Sequence, residues 1–162
     1  MVIVSDTSPI SNLFLINKLG LLHKFYGRII IPNAVMTELL VLKEQGIDLS
    51  EIENAHWIEV AIVSNTEAVR RYLAEVDLGE AEAIALAKEL HATRLLMDEE
   101  RGRDLAVREG LHIIGIIGIL IQAKHSREIS SVKQLMDELI QKARFFIDVN
   151  LYNHALELAN EK

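Results

Sequence analysis

No cysteine occurs among the 162 residues, which excludes disulfides and every zinc site built on thiolates and makes a reducing compartment the expectation. The opening residues, MVIVSDTSP, lack the basic segment and long apolar stretch of a signal peptide. Long hydrophobic runs are missing as well. The longest, Leu111 to Ala123, is interrupted by His112, Gly115, Gly118 and Gln122 and falls short of the ~20 apolar residues that span a bilayer. A soluble, cytoplasmic protein with no membrane partner is expected. Positive charge is also scarce, with 17 Lys and Arg against 24 Asp and Glu for a net charge of -7. Phosphate affinity comes mainly from Lys and Arg, so a binder that works by bulk charge is disfavoured. Two features offset this. A carboxylate cluster that holds a cation has its charge cancelled locally. The basic residues also fall in groups: Arg101, Arg103 and Arg108, then Lys124, His125 and Arg127. These groups either meet phosphate or are solvated surface charge.

Half of the residues are hydrophobic and 25% are charged, a globular composition whose length suits one domain with a substantial core. The hydrophobic pattern alternates between short β-branched runs and helical stripes. Strands are expected at Val2 to Ser5, Arg28 to Ile31, Trp57 to Val63, Thr93 to Met97 and His112 to Ile114. Ser8 reads as a helix cap with Pro9 at the first helical position, and Gly20 divides the following apolar stretch into two short helices. Pro32 opens a helix to about Leu42, and Thr66 caps one reaching about Val76. Gly79 introduces an alanine-rich helix to about Leu90, and another from about Glu99 is stopped by Gly110. Helices at Ile116 to Lys124, Val132 to Ala143 and Val149 to Asn160 finish the chain. Strands separated by helices predict a doubly wound parallel sheet in a single domain spanning residues 1–162. No repeat or linker interrupts it.

Four acidic residues stand out. Asp6 and Asp98 each follow a hydrophobic strand, and in an open parallel sheet the loops beyond the strands' carboxyl ends form the ligand crevice. The alternative for both is helix capping, which is the weaker reading for Asp6 because Ser8 and Pro9 already supply a cap. Glu38 borders the apolar stripe of Val35, Leu39 and Leu42. It is either a buried charge in need of a partner or an edge residue reaching solvent. In LGEAEAIALA, Glu80 shares a helix side with Ala83, Ile84 and Ala87, which leans it toward a tightly packed interior. The alternative is a first-turn acid favoured by the helix dipole. Glu82 points elsewhere and is expected in solvent. If gathered, four such carboxylates repel one another and hold their protons. A hard cation such as Mg²⁺ or Mn²⁺ removes the conflict, and can acidify water and steady charge on a phosphate oxygen. Zinc prefers histidine. No HExxH occurs; His56 and Glu59 border an expected strand, where this spacing does not share a face, and the pairs His125 and Glu128, His154 and Glu157 lack a third ligand.

Taken in order, DTSPISNL, the helical Glu after IPNAV, LGEAEAIALAKEL, LLMDEERGRDLA and GIIGILIQAK resemble the PIN-domain family. More narrowly, they are similar to its uncharacterised prokaryotic branch related to toxins of the VapC type, over nearly the whole chain. The resemblance implies a three-layer α/β/α fold with a central parallel sheet of about four or five strands. It also implies an acidic Mg²⁺ or Mn²⁺ centre that cleaves single-stranded RNA. Carried over by position, Asp6, Glu38, Glu80 and Asp98 are the catalytic, metal-holding set. Thr7, Ser8 and Asn12 stand where relatives place polar groups behind the ligands, and Asp104 stands where some add a further acid. Arg101 and Arg103 either contact phosphate or pair with Glu99, Glu100 and Asp104, with pairing favoured. The helices from about Val132 form an extension that packs on the core, makes a dimer face or receives a partner. An antitoxin protein and a homodimer are the partners the toxin likeness suggests.

Two other readings compete. One is a catalytically silent interaction or RNA-binding module, against which the complete acidic set argues. The other is aspartate-based phosphotransfer, but Asp6 is followed by Thr7 and Ser8, so the required DxD pair is missing. No strand-end lysine follows downstream.

Overall fold

The computed structural model describes all of residues 1–162. In chain order the elements are β1 (Ile3–Ser5), α1 (Thr7–Leu15), α2 (Gly20–Tyr26), β2 (Ile29–Pro32), α3 (Asn33–Glu44), α4 (Ser50–Glu53), β3 (Ile58–Ala61) and α5 (Thr66–Tyr72). They continue with α6 (Leu78–Glu89), β4 (Arg94–Leu96), α7 (Glu100–Arg108), β5 (Ile113–Ile114), α8 (Ile116–His125), α9 (Val132–Lys142) and α10 (Val149–Leu158). The five strands form one sheet in the order β3-β2-β1-β4-β5, and every pairing is parallel. Helices cover both faces, giving the expected three-layer α/β/α architecture.

The central strands β1 and β2 are buried on both faces and read as short, mostly hydrophobic runs, whereas the edge strand β3 is partly exposed and carries Glu59. Successive side chains alternate between the two cores. Ile3, Ile29, Ile31 and Leu96 join the layer that includes α1, α2, α8, α9 and α10. Val4, Ile30, Leu95 and Met97 join the layer of α5, α6 and α7. In that second layer Ala81, Ala83, Ala85 and Ala87 are fully buried, and their small side chains let α6 lie close to the sheet. The C-terminal helices belong to the first core, where Val132, Leu135, Met136, Leu139, Ala155 and Ala159 are buried. No helix is long and apolar enough to cross a membrane.

Three caps differ from expectation. Helix α1 begins at Thr7 with Asp6 in the cap position and Pro9 third in the helix. Proline is tolerated there because first-turn N–H groups have no partner within the helix, and this frees the Ser8 side chain for another role. Helix α5 is capped by Asn65, whose side chain accepts from Ala68 N, and it ends at Tyr72. Helix α6 starts one residue before Gly79 and is capped by Asp77.

The last two helices are locked by one carboxylate. Glu161 accepts from Val132 N at 2.6 Å, Lys133 N at 3.0 Å, Ser131 Oγ at 3.1 Å and Lys124 Nζ at 3.1 Å. Burial alone would raise its pKa, but these donors overturn that and hold it down to about 2. Because the folded value is depressed, the stabilisation is complete above the ordinary carboxylate range and is lost as pH falls through about 2. Glu161→Ala is expected to lower stability at pH 7 by roughly 2 kcal/mol after allowance for solvent screening. Denaturant unfolding at pH 7 and pH 3 checks this, the gap narrowing at the lower pH.

Candidate active site

The sheet places the site. From β1 the chain runs outward through β2 to β3, whereas β4 and β5 lie on the other side of β1. The crevice beyond the carboxyl ends of the strands at such a switch point is where open α/β sheets hold ligands. Asp6 follows β1 directly, and its N–H donates to Leu96 O of β4 at 2.9 Å. Asp98 lies just beyond the same β4 end. Helices α3 and α6 add Glu38 and Glu80.

Helix α1 ties two of these carboxylates in place. Thr7 Oγ1 donates to Glu38 Oε2 at 2.6 Å. Asn12 Nδ2 donates to Ser8 Oγ at 2.8 Å, and Ser8 Oγ donates to Asp98 Oδ2 at 3.3 Å. The other oxygen of Asp98 accepts from Ile116 N at 2.7 Å, so this acid sits at the N-terminus of α8, where the dipole favours negative charge. Its capping role is therefore real but serves α8, while Glu99 occupies the cap position of α7. Asp6 makes no side-chain cap bond. Glu80 is 7% exposed, and its Oε2 is buried without any hydrogen-bond partner.

Burial raises all four, and neighbouring acids add to it at Asp6, Glu38 and Glu80. Burial is the main cause that lifts Asp6 to about 7. The Thr7 amide opposes it, while the charges of Glu38, Asp77 and Asp98 add to it. Burial likewise pushes Glu80 up to about 8, with Asp77, Asp6 and Glu99 contributing. Glu38 is raised by burial and by Asp77 and Glu82, against the Thr7 hydroxyl. Asp98 is raised by burial against the Ile116 amide, the Ser8 hydroxyl and the Arg103 charge. Asp6 is thus the hub: its charge is felt at Glu80, and it feels three further acids.

The all-oxygen donor set suits a hard cation, and the unpartnered Glu80 Oε2 is an acceptor with nothing to accept. No three Asp, Glu or His side chains stand closely enough together to enclose an ion, so the arrangement is open and not a closed cage. Magnesium, which keeps several waters and is usually held by one or two carboxylates, fits such an arrangement.

A family model described as a PIN domain matches residues 2–161. The chain belongs to the PIN-domain family. PIN domains are generally nucleases and typically use divalent metal ions. No curated protein and no solved structure matches this chain.

Several other expected roles change in this PIN domain. Asp104 is exposed on α7 and lines a cavity of about 270 Å³ with Ala74, Glu75, Arg101 and Arg108. None of the four acids borders that cavity. Arg101 and Arg103 form no ion pair with Glu99, Glu100 or Asp104. Arg103 instead donates to Met97 O at 3.1 Å beside Asp98, and Arg108 pairs with Glu75. Arg101 has no carboxylate partner and lines a crevice of about 440 Å³ with Asp77, Glu80 and Glu99. Glu82 is half-buried, not solvated: its Oε1 accepts from Ala34 N at 3.1 Å in the first turn of α3. A larger cavity, about 940 Å³, lies near the start of β2 and β3 against Arg28, His56 and Trp57 and includes none of the acids.

Asp77 is the residue that sequence reasoning missed. Its Oδ1 accepts from Glu80 N at 2.9 Å, and its charge reaches Asp6, Glu38 and Glu80. The spacing in Asp77-Leu78-Gly79-Glu80 is that of a capping box, a signal that starting the helix at Gly79 conceals.

Proposed function

We propose that this PIN domain is a Mg²⁺- or Mn²⁺-dependent endoribonuclease that hydrolyses phosphodiester bonds of single-stranded RNA. The proposal includes a biological role as the toxin of a toxin–antitoxin pair, acting in the cytoplasm, with a small antitoxin protein and a second copy of the chain as partners. The observation that carries the nuclease reading is the buried, unpartnered Glu80 Oε2, set among acids whose charges oppose Asp6.

Asp6, Glu80 and Asp98 would hold one or two ions, and Glu38 would complete the ligand set or orient water. A divalent ion bound there neutralises charge building on phosphate oxygens and lowers the pKa of the attacking water. The protein's own groups do the rest. Thr7 fixes Oε2 of Glu38, leaving Oε1 to accept a hydrogen bond from water and aim it at phosphorus. Ser8 and the Ile116 amide hold both oxygens of Asp98, so its carboxylate is set in orientation before substrate arrives. Arg101, exposed and free of any acidic partner beside Glu80, is placed to meet a phosphate of the bound strand.

Cleavage of a mixed panel of RNA and DNA oligonucleotides with Mg²⁺, Mn²⁺ or EDTA tests the proposal, with Asp6→Asn as control. RNA cut only with divalent ion, and only by the parent, supports it. Cutting that persists in excess EDTA, or is unchanged in Asp6→Asn, removes it. A silent RNA-binding or interaction module is the second reading, favoured by the absence of a ready three-ligand cage. It requires that Mn²⁺ leave the thermal midpoint unchanged.

For Arg101→Gln, KM for RNA should rise several-fold with kcat nearly constant. The slope of log affinity against log salt should fall in magnitude by about one. Kinetics across a salt series read both.

A further inference from the structure

Three glycines from three different elements lie against three of the four acids. A Cβ on Gly79 of α6 would fall deep inside contact with Glu38 Oε2, with Glu38 Cδ at 2.8 Å and Oε1 at 2.9 Å. One on Gly102 of α7 would stand 2.6 Å from Glu80 Oε2 and 2.6 Å from Met97 Sδ. One on Gly115, before α8, would stand 2.8 Å from Asp98 Oδ1 and 2.6 Å from Arg103 Nη1. None of the three has the positive φ that requires glycine, whereas Gly27, Gly46 and Gly110 do. Backbone conformation therefore does not account for Gly79, Gly102 and Gly115. Two of them sit within helices, where glycine is a poor former compared with alanine. What they share is a carboxylate occupying the space of the missing methyl group.

We infer that Gly79, Gly102 and Gly115 are positioning residues, whose absent side chains form the cradle in which Glu38, Glu80 and Asp98 take up their metal-holding places. The inference rests on the metal-centre reading given above. Two independent facts point the same way: the buried Glu80 oxygen beside Gly102 has no partner, and the Glu38 oxygen nearest Gly79 is held by the Thr7 hydroxyl of α1. Gly79 gives the cleanest case, because the three nearest atoms its Cβ would meet all belong to the Glu38 carboxylate. Placing a methyl group there forces Oε2 back by roughly 1 Å before the spacing becomes one that real Cβ atoms show. A functional constellation tolerates only about 0.5 Å, and a 1 Å misplacement can cost about 10²-fold. Helix α6 has no need of a glycine and keeps its other contacts.

The test compares the parent, Gly79→Ala, Gly20→Ala and the double variant Gly79→Ala with Glu38→Asp. Gly20 is the control, since it opens α2 and its Cβ would meet nothing within 4 Å. Thermal midpoints are measured with and without Mn²⁺, and Mn²⁺ affinity by calorimetry. Gly79→Ala should fold with a metal-free midpoint near the parent's and bind Mn²⁺ at least ~10-fold more weakly. Gly20→Ala should respond to Mn²⁺ as the parent does. Shortening Glu38 by one methylene relieves the collision, so the double variant should recover part of the response. A Gly79→Ala protein with undiminished Mn²⁺ affinity overturns the inference. So does a double variant no better than the single one, including the case in which neither folds. A parent indifferent to Mn²⁺ would sink the metal reading instead. The contact itself is then judged without metal: strictly additive effects of Gly79→Ala and Glu38→Asp on the midpoint would mean the two residues do not touch.

Discussion

Asp6→Asn is expected to abolish RNA cleavage and, at the same time, to leave a protein more stable than its parent at pH 8. Asp6 is 6% exposed, and burial followed by the Glu38, Asp77 and Asp98 charges drives it from 3.8 to about 7. A carboxyl whose folded pKa exceeds its unfolded one takes up protons on folding. Stability is therefore lost as pH rises from about 4 through about 7 and is at its lowest above that. At about 1.36 kcal/mol for each pKa unit, the cost at pH 8 is on the order of a few kcal/mol. Asparagine keeps the shape and removes the charge. It forfeits no helix cap, because Asp6 makes no side-chain cap bond, and the backbone bond to Leu96 is untouched. Chemistry suffers in proportion, since a divalent ion supplies several kcal/mol of transition-state stabilisation, or roughly 10³-fold in rate. Urea unfolding at pH 5 and pH 8, alongside a cleavage assay, gives both halves. A variant less stable than the parent at pH 8 would show that charge at this position is not the strain described.

That trade-off explains why some of the site was legible in the sequence and some was not. Asp6 and Asp98 could be read because their place depends on local pattern: a β-branched run ends, and an acid follows at the carboxyl end of a parallel strand. That β1 and β4 are neighbours then brings the two together, with Ser5 opposite Leu96 in register. The central strands were legible for a similar reason, as β1 and β2, buried on both faces, leave short hydrophobic runs. Side-chain partners are a different matter, because each polar group chooses among neighbours that only the fold supplies. Ser8 looked like a cap and instead holds Asp98, ninety residues away. Glu82 looked solvated and instead satisfies α3. Arg103 is surrounded in sequence by Glu99, Glu100 and Asp104, yet it turns inward to Met97 O. Local charge spacing on α7 did not decide this, because most of those acids face open water, where an ion pair is worth little. Asp77 escaped notice for the opposite reason. Its capping role is local, but its charge matters only because α6 is packed against α3 and β1.

The Mn²⁺ response should grow steeply with pH, and in a direction that distinguishes a metal site from an ordinary buried acid cluster. Without a cation, Asp6 and Glu80 hold their protons up to about 7 and about 8, so an ion arriving at pH 6 must displace both. By pH 8 Asp6 is ionised and Glu80 is half ionised, and binding no longer carries that cost. The apparent affinity is then expected to strengthen at least ~10²-fold between pH 6 and pH 8. At fixed excess Mn²⁺ a gain of that size is worth about 2.7 kcal/mol, or roughly 5–10 °C in thermal midpoint for a domain of this length. The metal-free protein runs the other way, losing stability over the same interval as the two carboxyls charge. The two curves should therefore diverge with rising pH, a pattern that nonspecific binding of cations to an acidic surface does not produce. Asp6→Asn removes one of the two displaced protons and should flatten the divergence, while Glu80→Gln should flatten it more, since Glu80 is the more strongly shifted. Thermal scans of the three proteins at pH 6, 7 and 8 with Mn²⁺ or EDTA carry the test. A Mn²⁺ shift that is equal at all three pH values would mean that neither Asp6 nor Glu80 gives up a proton to the ion.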